Sequence, residues 1–185
     1  EIGCGTGQFL LYLRHKGVER LSGLDSDRRL GEVLPAPIAD AVRITDLWDF
    51  LDNPGDPGAP FDRVFALDVI EHFTPADGVR LLTRLKPLLA PAARVTLRTP
   101  NMASPWGAQH QFSDLTHLAA YTPGSMEQLA LAAGYRVVAF AEQRRGSPFR
   151  RFAEDRLHGF LGAVLTQKPR LWSANFITVL APDGS

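Results

Sequence analysis

The hydrophobic and polar positions of this chain switch repeatedly between two periods. Glu1-Ile2 runs straight into a glycine-rich turn, and QFLLYLRHKG then repeats its apolar residues at helical spacing before stopping at Gly17. This pattern predicts a strand end, a turn and a helix. RLSGLD reads as a short strand ending at Asp25, followed by a short helix over SDRRLGEVL with Ser26 or Asp27 as its cap. APIAD reads as a third strand ending at Asp40, VRITDLWDFLD as a helix by period, and NPGDPGAP as a loop. FDRVFALDVIEHF is a buried apolar strand whose far end is polar, at Asp68, Glu71 and His72.

The remainder alternates in the same way. It reads as a helix (PADGVRLLTRLKPLL), a strand (ARVTLRTP), an irregular polar segment from Asn101 to Thr122, a helix (PGSMEQLALAAG) and a strand (YRVVAFAEQR). An arm with helical periodicity spans 147–172, and ANFITVLAP closes the chain as a last strand. Strands alternating with helices predict an α/β fold: a doubly wound, Rossmann-like, mostly parallel sheet with an antiparallel last strand, its ligands at the strands' C-terminal ends. The chain begins without methionine, at a strand end, so the N-terminal part is expected to be truncated. A single domain is expected over 1–185, with 1–100 as a cofactor-binding half, 101–122 as an acceptor-site segment and 147–172 as an amphipathic helical arm.

Composition narrows the function. With 185 residues, 45% of them hydrophobic, the chain can bury a full core. Twenty basic and twenty acidic residues cancel, which gives no electrostatic footprint for nucleic acid. The lone cysteine, Cys4, excludes an internal disulfide and a cysteine-based zinc site and fits a reducing, cytoplasmic setting. No apolar run reaches the length of a membrane span.

The chemistry starts at EIGCGTG. Glycines at 3, 5 and 7 allow positive φ and let a ligand approach the backbone. A dinucleotide fingerprint would place its third glycine at position 8, where this chain has Gln8. Glu1 would repel a pyrophosphate but suits a cationic ammonium. Asp25, at the end of the next strand, can take both hydroxyls of a ribose, and Asp40 is placed to meet an adenine amino group.

In order and spacing, EIGCGTG, GLDSD, IADA and FDRVFALDVIEHF resemble the successive motifs of the class I, Rossmann-like S-adenosylmethionine-dependent methyltransferases, over residues 1 to about 145. DVIEHF, TPN and FSDLTHLAAYTPGSMEQLALAAGY are similar to the branch that includes ubiquinone-biosynthesis-type and glycan-associated enzymes. The resemblance implies S-adenosyl-L-methionine as cofactor. It implies Glu1, Gly3, Gly5 and Gly7 at the cofactor turn, Asp25 at the ribose, Asp40 with Ala41 at the adenine, and Asp68 with Val69 as the wall beneath the methionine part. The linkers after Asp25 and Asp40 depart from the commoner pattern.

Methyl transfer requires acceptor and methyl to be held in line, and a hydroxyl acceptor also needs a base. His72, His110, Asp114 and His117 are the candidates, and His72, His117 and Asp114 are expected to be catalytic. Asp68, Glu71 and His72 stand at i, i+3 and i+4 and resemble the divalent-metal triplet of some ubiquinone-pathway O-methyltransferases; His110, Asp114 and His117 form a second metal candidate. No metal is expected, because the cofactor wall explains Asp68 better. The expected function is methyl transfer to a small-molecule or glycan- or lipid-linked acceptor, at oxygen. A noncatalytic cofactor-binding module and a nicotinamide-dependent oxidoreductase are the alternatives. Peripheral membrane contact through 149–166, or a homodimer, is expected of the arm.

Overall fold

A computed structural model describes residues 1–55 and 60–184. The strands are β1 Gly23–Asp25, β2 Val42–Ile44, β3 Phe61–Leu67, β4 Leu89–Pro100, β5 Tyr135–Glu142 and β6 Asn175–Pro182. The helices are α1 Gln8–His15, α2 Leu47–Asp52, α3 Pro75–Leu85, α4 Ala108–Phe112, α5 Pro123–Ala132 and α6 Pro148–Val164. β1 and β2 pair in parallel, as do β3 and β4, whereas β6 lies antiparallel between β4 and β5. Ile2 joins the two sheets by bridging Leu24 on one side and Ala66 on the other, both in parallel. The expected mostly parallel sheet with an antiparallel last strand is therefore present.

The core lies where α3 and α5 cover this sheet. Leu81, Leu82 and Leu85 of α3 and Met126 and Leu129 of α5 pack with Val95, Leu97, Phe176 and Leu180 of the central strands. β6 enters the middle of the sheet rather than an edge because Phe176, Leu180 and Ala181 are fully buried and need cover on both faces. Tyr135 is also buried, and its hydroxyl donates to the Leu82 carbonyl at 2.8 Å, so the phenol brings no unmet polar group into the core. α3 starts at Thr74, whose hydroxyl accepts from Asp77 N, with Pro75 in the first turn.

Three expectations between residues 26 and 52 are corrected. SDRRLGEVL forms only a short 3-10 turn over Arg28–Glu32, capped by the Asp27 carboxylate. APIAD is not a strand. Pro35 and Pro37 cannot donate to a ladder, and Ala39–Ala41 make another 3-10 turn. The strand lies one step later, in Val42–Ile44, within the run read as helical. The helix begins only after Asp46, whose carboxylate accepts from Trp48 N and Asp49 N. Of the predicted loop NPGDPGAP, residues 56–59 lie outside the described residues.

Candidate functional site

The opening turn is built from backbone. Gly3, Gly5 and Gly7 all have positive φ, at 68°, 51° and 73°. Gly3 N and Cys4 N both donate to the Leu24 carbonyl, at 2.8 and 3.0 Å, which ties the turn to β1. A methyl group on Gly7 would sit 2.2 Å from Ile38 Cδ1, whereas one on Gly5 would meet no protein atom within 4 Å. Gly7 thus serves packing, while Gly5 leaves its open side free for a ligand.

Asp25 sits at the C-terminal end of β1 and reaches this turn. Its Oδ2 accepts from the Gly5 amide at 2.8 Å and its Oδ1 from the Asp27 amide at 3.0 Å. Glu1 stands beside it, with its Oε2 buried and without a hydrogen-bond partner. Burial is the main reason its carboxyl is pushed up to about 7; Arg98 opposes the shift, and Asp25 adds to it.

Asp68 follows β3 and is the one non-glycine among the described residues with positive φ, 58°. Its carboxylate meets the Arg98 guanidinium in a fork, Nε to Oδ1 at 2.8 Å and Nη2 to Oδ2, while its amide donates to the Arg98 carbonyl at 2.9 Å. Val69 lies against Gly3, where an added methyl would fall 2.6 Å from Val69 Cγ2. Arg98 escaped the sequence reading. A charge near the C-terminal end of a mostly apolar strand was the available signal.

Asp40 and Ala41 do not join this group. They precede β2, at the start of the strand rather than its end, and line a cavity of about 880 Å³ together with Leu21–Leu24 and Phe61–Phe65. That cavity lies among the beginnings of the strands; Glu1 and Ile2 line it, but Gly5, Asp25 and Asp68 do not. The acid at the C-terminal end of β2 is Asp46, two residues past Ile44 and next to Thr45, whose amide donates to the Asp25 carbonyl at 2.8 Å.

A second cluster is built from side chains of two distant segments. Glu71 is fully buried just past β3, and its main-chain carbonyl accepts from Leu118 N at 2.8 Å and Ala119 N at 3.0 Å. This clamps the Asp114–Ala119 segment over His72. The His72 and His117 rings meet edge to face, with centroids 4.7 Å apart. His117 Nδ1 lies 2.9 Å from the Gln111 carbonyl. His72 Nδ1 lies 2.9 Å from the Thr116 hydroxyl, which donates to Asp114 Oδ1 at 2.6 Å. Thr116 N also donates to Asp114 Oδ1, at 2.8 Å. Thr116 was missed by the sequence reading, although the Asp-x-Thr spacing of a local turn is visible in SDLTH.

The Glu71 carboxyl has neither oxygen hydrogen-bonded. Burial is the principal cause that pushes it up to about 7, with Asp68 adding to the shift. Its own amide, His117 and the Thr99 hydroxyl oppose it, the hydroxyl without completing a hydrogen bond by geometry.

His110 takes no part in this cluster. With Trp106, Glu142, Arg145, His158 and Trp172 it lines a separate cavity of about 400 Å³. Trp106 Nε1 donates to His158 Nε2 at 3.1 Å, and the His158 ring stacks on Trp172 with centroids 4.8 Å apart. α6 is held to the body through this contact and an Asp155–Arg144 ion pair. Its apolar residues face outward: Phe149, Phe152, Phe160 and Val164 are all exposed, and no residue of the helix is buried. No helix among the described residues is long and apolar enough to cross a membrane.

Comparison with known proteins identifies the family and the fold. A family model described as "Methyltransferase domain" matches residues 1–139. A SAM-dependent methyltransferase from Archaeoglobus fulgidus superimposes with a TM-score of 0.69 at 19% identity, covering 97% of this chain and 83% of that one. The mitomycin 7-O-methyltransferase MmcR gives 0.67 at 17% identity, and this chain, 98% covered, spans 47% of its length. The plantazolicin methyltransferase BpumL, solved with a triazolic desmethylPZN analog and SAH, gives 0.61 at 19% identity, with 97% of this chain and 74% of that chain covered. No curated protein sequence matches the chain. At such identities the likeness to solved structures is one of fold, and the family rests on the sequence model. Its match runs from the glycine turn through β3, the histidine segment and into β5, so the chain belongs to the methyltransferase-domain family, the S-adenosylmethionine-dependent enzymes of the Rossmann-like class.

Proposed function

We propose that this chain transfers the methyl group of S-adenosylmethionine to a hydroxyl oxygen of a small-molecule or glycan acceptor. In this reading the methionine part lies along Glu1, Gly3, Gly5 and Gly7, with Asp68 and Val69 as its wall, and the ribose is held by Asp25. Asp46 with Leu47, rather than Asp40 with Ala41, meets the adenine, because Asp46 is the acid at the same end of the sheet as Asp25. The carboxylates suit the cofactor's ammonium and sulfonium charges, and their number disfavours a pyrophosphate. Neither a nicotinamide oxidoreductase nor a noncatalytic module is favoured by the family match.

The observation that carries the oxygen assignment is the pairing of His72 and His117 beside Asp114. Gln111 offers His117 Nδ1 only an acceptor, so that nitrogen carries the proton and Nε2 keeps its lone pair. Such a nitrogen can take the proton of an acceptor hydroxyl while its oxygen attacks the methyl. The carbon–sulfur bond breaks and its electron pair stays on sulfur. Residues 101–122 form the acceptor side in this reading, and the cavity between Trp106, His158 and Trp172 receives the rest of the acceptor. The exposed stripe of α6 is its contact surface, toward a membrane or a second copy, in a protein working in the cytoplasm.

The test is a labelled-methyl transfer assay across hydroxyl and amine acceptors. His117→Ala is expected to lower turnover on a hydroxyl acceptor by about a hundredfold with affinity for S-adenosylhomocysteine unchanged. Transfer to amines alone, or wild-type turnover in His117→Ala, refutes the oxygen assignment.

A further inference from the structure

We propose that His72, Asp114 and His117 form a divalent-cation site, binding a first-row ion such as Zn²⁺ through one ring nitrogen of each histidine and the Asp114 carboxylate. One ligating atom from each of the three lies within 4.8 Å of the other two. The proposal rests on the methyl-transfer reading only for what the ion does, not for its binding.

The hydrogen-bond network prepares both histidines as ligands. Thr116 has one hydroxyl proton, and at 2.6 Å it goes to Asp114 Oδ1. The hydroxyl oxygen must then accept from His72 Nδ1, which therefore bears a hydrogen. His117 Nδ1–H is used on the Gln111 carbonyl. Both rings are thus assigned the neutral tautomer with a free Nε2 lone pair, the form that binds metal. Holding the second ring nitrogen on a carbonyl or hydroxyl is the arrangement that orients metal-binding histidines. Asp114 Oδ1 already accepts twice from Thr116, which leaves the second carboxylate oxygen as the anionic donor.

The donor set and its setting select the kind of ion. Two imidazoles and one carboxylate suit Zn²⁺, Co²⁺ or Mn²⁺ rather than Mg²⁺, which prefers an all-oxygen shell. A tetrahedral Zn²⁺ holds its donors about 3.4 Å apart, so small rotations of the side chains close the ring. Asp114 is exposed and the two histidines half-buried, so the fourth position faces solvent and an incoming acceptor. The segment carrying Asp114 and His117 is fixed over His72 by the two hydrogen bonds to the Glu71 carbonyl.

An ion there changes how the trio acts. A hydroxyl bound at the open position loses its proton to solvent more readily, because the cation stabilises the oxyanion. That oxygen forms the bond to the methyl, the carbon–sulfur bond breaks with its pair on sulfur, and the neutral ether leaves the ion. The histidines are then ligands rather than bases.

The experiment titrates the full, untagged chain with Zn²⁺ and Co²⁺, following heat and the visible ligand-field absorption of Co²⁺. One ion per chain is expected, with a Kd of about 10 μM or tighter. His72→Ala or His117→Ala should each weaken it about a hundredfold, and Thr116→Val, which removes only a supporting bond, about tenfold. His15→Ala, on α1, should change nothing. Binding of S-adenosylhomocysteine by each variant reports that it has folded. A chain that binds S-adenosylhomocysteine yet takes up no stoichiometric ion at about 1 mM Zn²⁺ overturns the proposal, as does ion binding that survives both histidine substitutions. If the ion binds and only amines are methylated, the oxygen assignment fails and the site stands.

Discussion

The glycine turn and the histidine segment, which we propose serve one reaction, are built by opposite means. The turn is backbone: its positive φ angles, the amides of Gly3 and Cys4 on Leu24, and the Gly5 amide on Asp25 all arise within the first 25 residues. The histidine cluster is side chain: His72 and His117 come from segments 45 residues apart and meet because one buried main-chain carbonyl, that of Glu71, holds two amides of the later segment. Left-handed backbone strains any added side chain, whereas a side-chain cluster can lose a member and keep its shape. Substitutions should therefore separate the two regions, with stability and cofactor affinity answering to the first and acceptor chemistry to the second.

The largest effect is expected inside the turn. Gly7→Ala forces a side chain into left-handed backbone and against Ile38, and should cost about 2–5 kcal/mol of stability, lowering Tm by roughly 5–15 °C. Gly5→Ala pays the backbone strain without a clash, so its thermal shift should be the smaller while its affinity for S-adenosylhomocysteine falls, since the methyl fills the open side. If Gly5→Ala and Gly7→Ala behave alike in both melting and calorimetry, the division between packing glycine and ligand glycine is wrong.

Next comes Asp25. Asp25→Ala removes the acceptor of two main-chain amides and the proposed ribose ligand together, and should weaken cofactor binding by about 2–4 kcal/mol. Calorimetry with S-adenosylhomocysteine decides, and unchanged affinity would sink the ribose assignment.

A smaller effect sharpens the comparison through pH. The Glu1 carboxyl, raised to about 7 chiefly by burial, keeps its proton in the folded protein at pH values where an unfolded glutamate has lost it. In the absence of cofactor, its contribution to stability therefore falls as pH rises between 4.5 and about 7. A cationic cofactor favours the ionised form, so its affinity should rise with pH by up to about tenfold per unit below pH 7 and level off above. Glu1→Gln should flatten that profile. A profile equally steep in the variant would move the titrating group elsewhere, with Glu71, also pushed up to about 7 by burial, the first alternative.

Much of the fold was legible because its signals are local. The period switches located α1, α3, α5 and most strands, since a helix or a buried strand imposes its own spacing on the residues within it. The glycines at 3, 5 and 7 and Asp25 were readable for the same reason: a tight turn and a strand tip are decided by a few adjacent φ angles and one side chain. The reading failed between residues 33 and 47, where two prolines break the ladder and a three-residue strand is too short to show a period. It placed that strand over APIAD, ending at Asp40, whereas β2 is Val42–Ile44.

What the sequence by itself determined was the alternating α/β order, the glycine-rich turn with Gln8 where a dinucleotide site needs glycine, and the residue types at the candidate site's edge. The tertiary structure decided which of them meet. His72 pairs with His117 and not with His110, Asp68 is claimed by Arg98, and Thr116 links His72 to Asp114. It also left α6 with no buried residue and Phe149, Phe152, Phe160 and Val164 exposed, against what its amphipathic pattern suggests for a helix packed on a core. The physical reason is range: helical period and turn chemistry act over a few residues, whereas an ion pair or shared proton depends on distances set only once the sheet and its covering helices have packed.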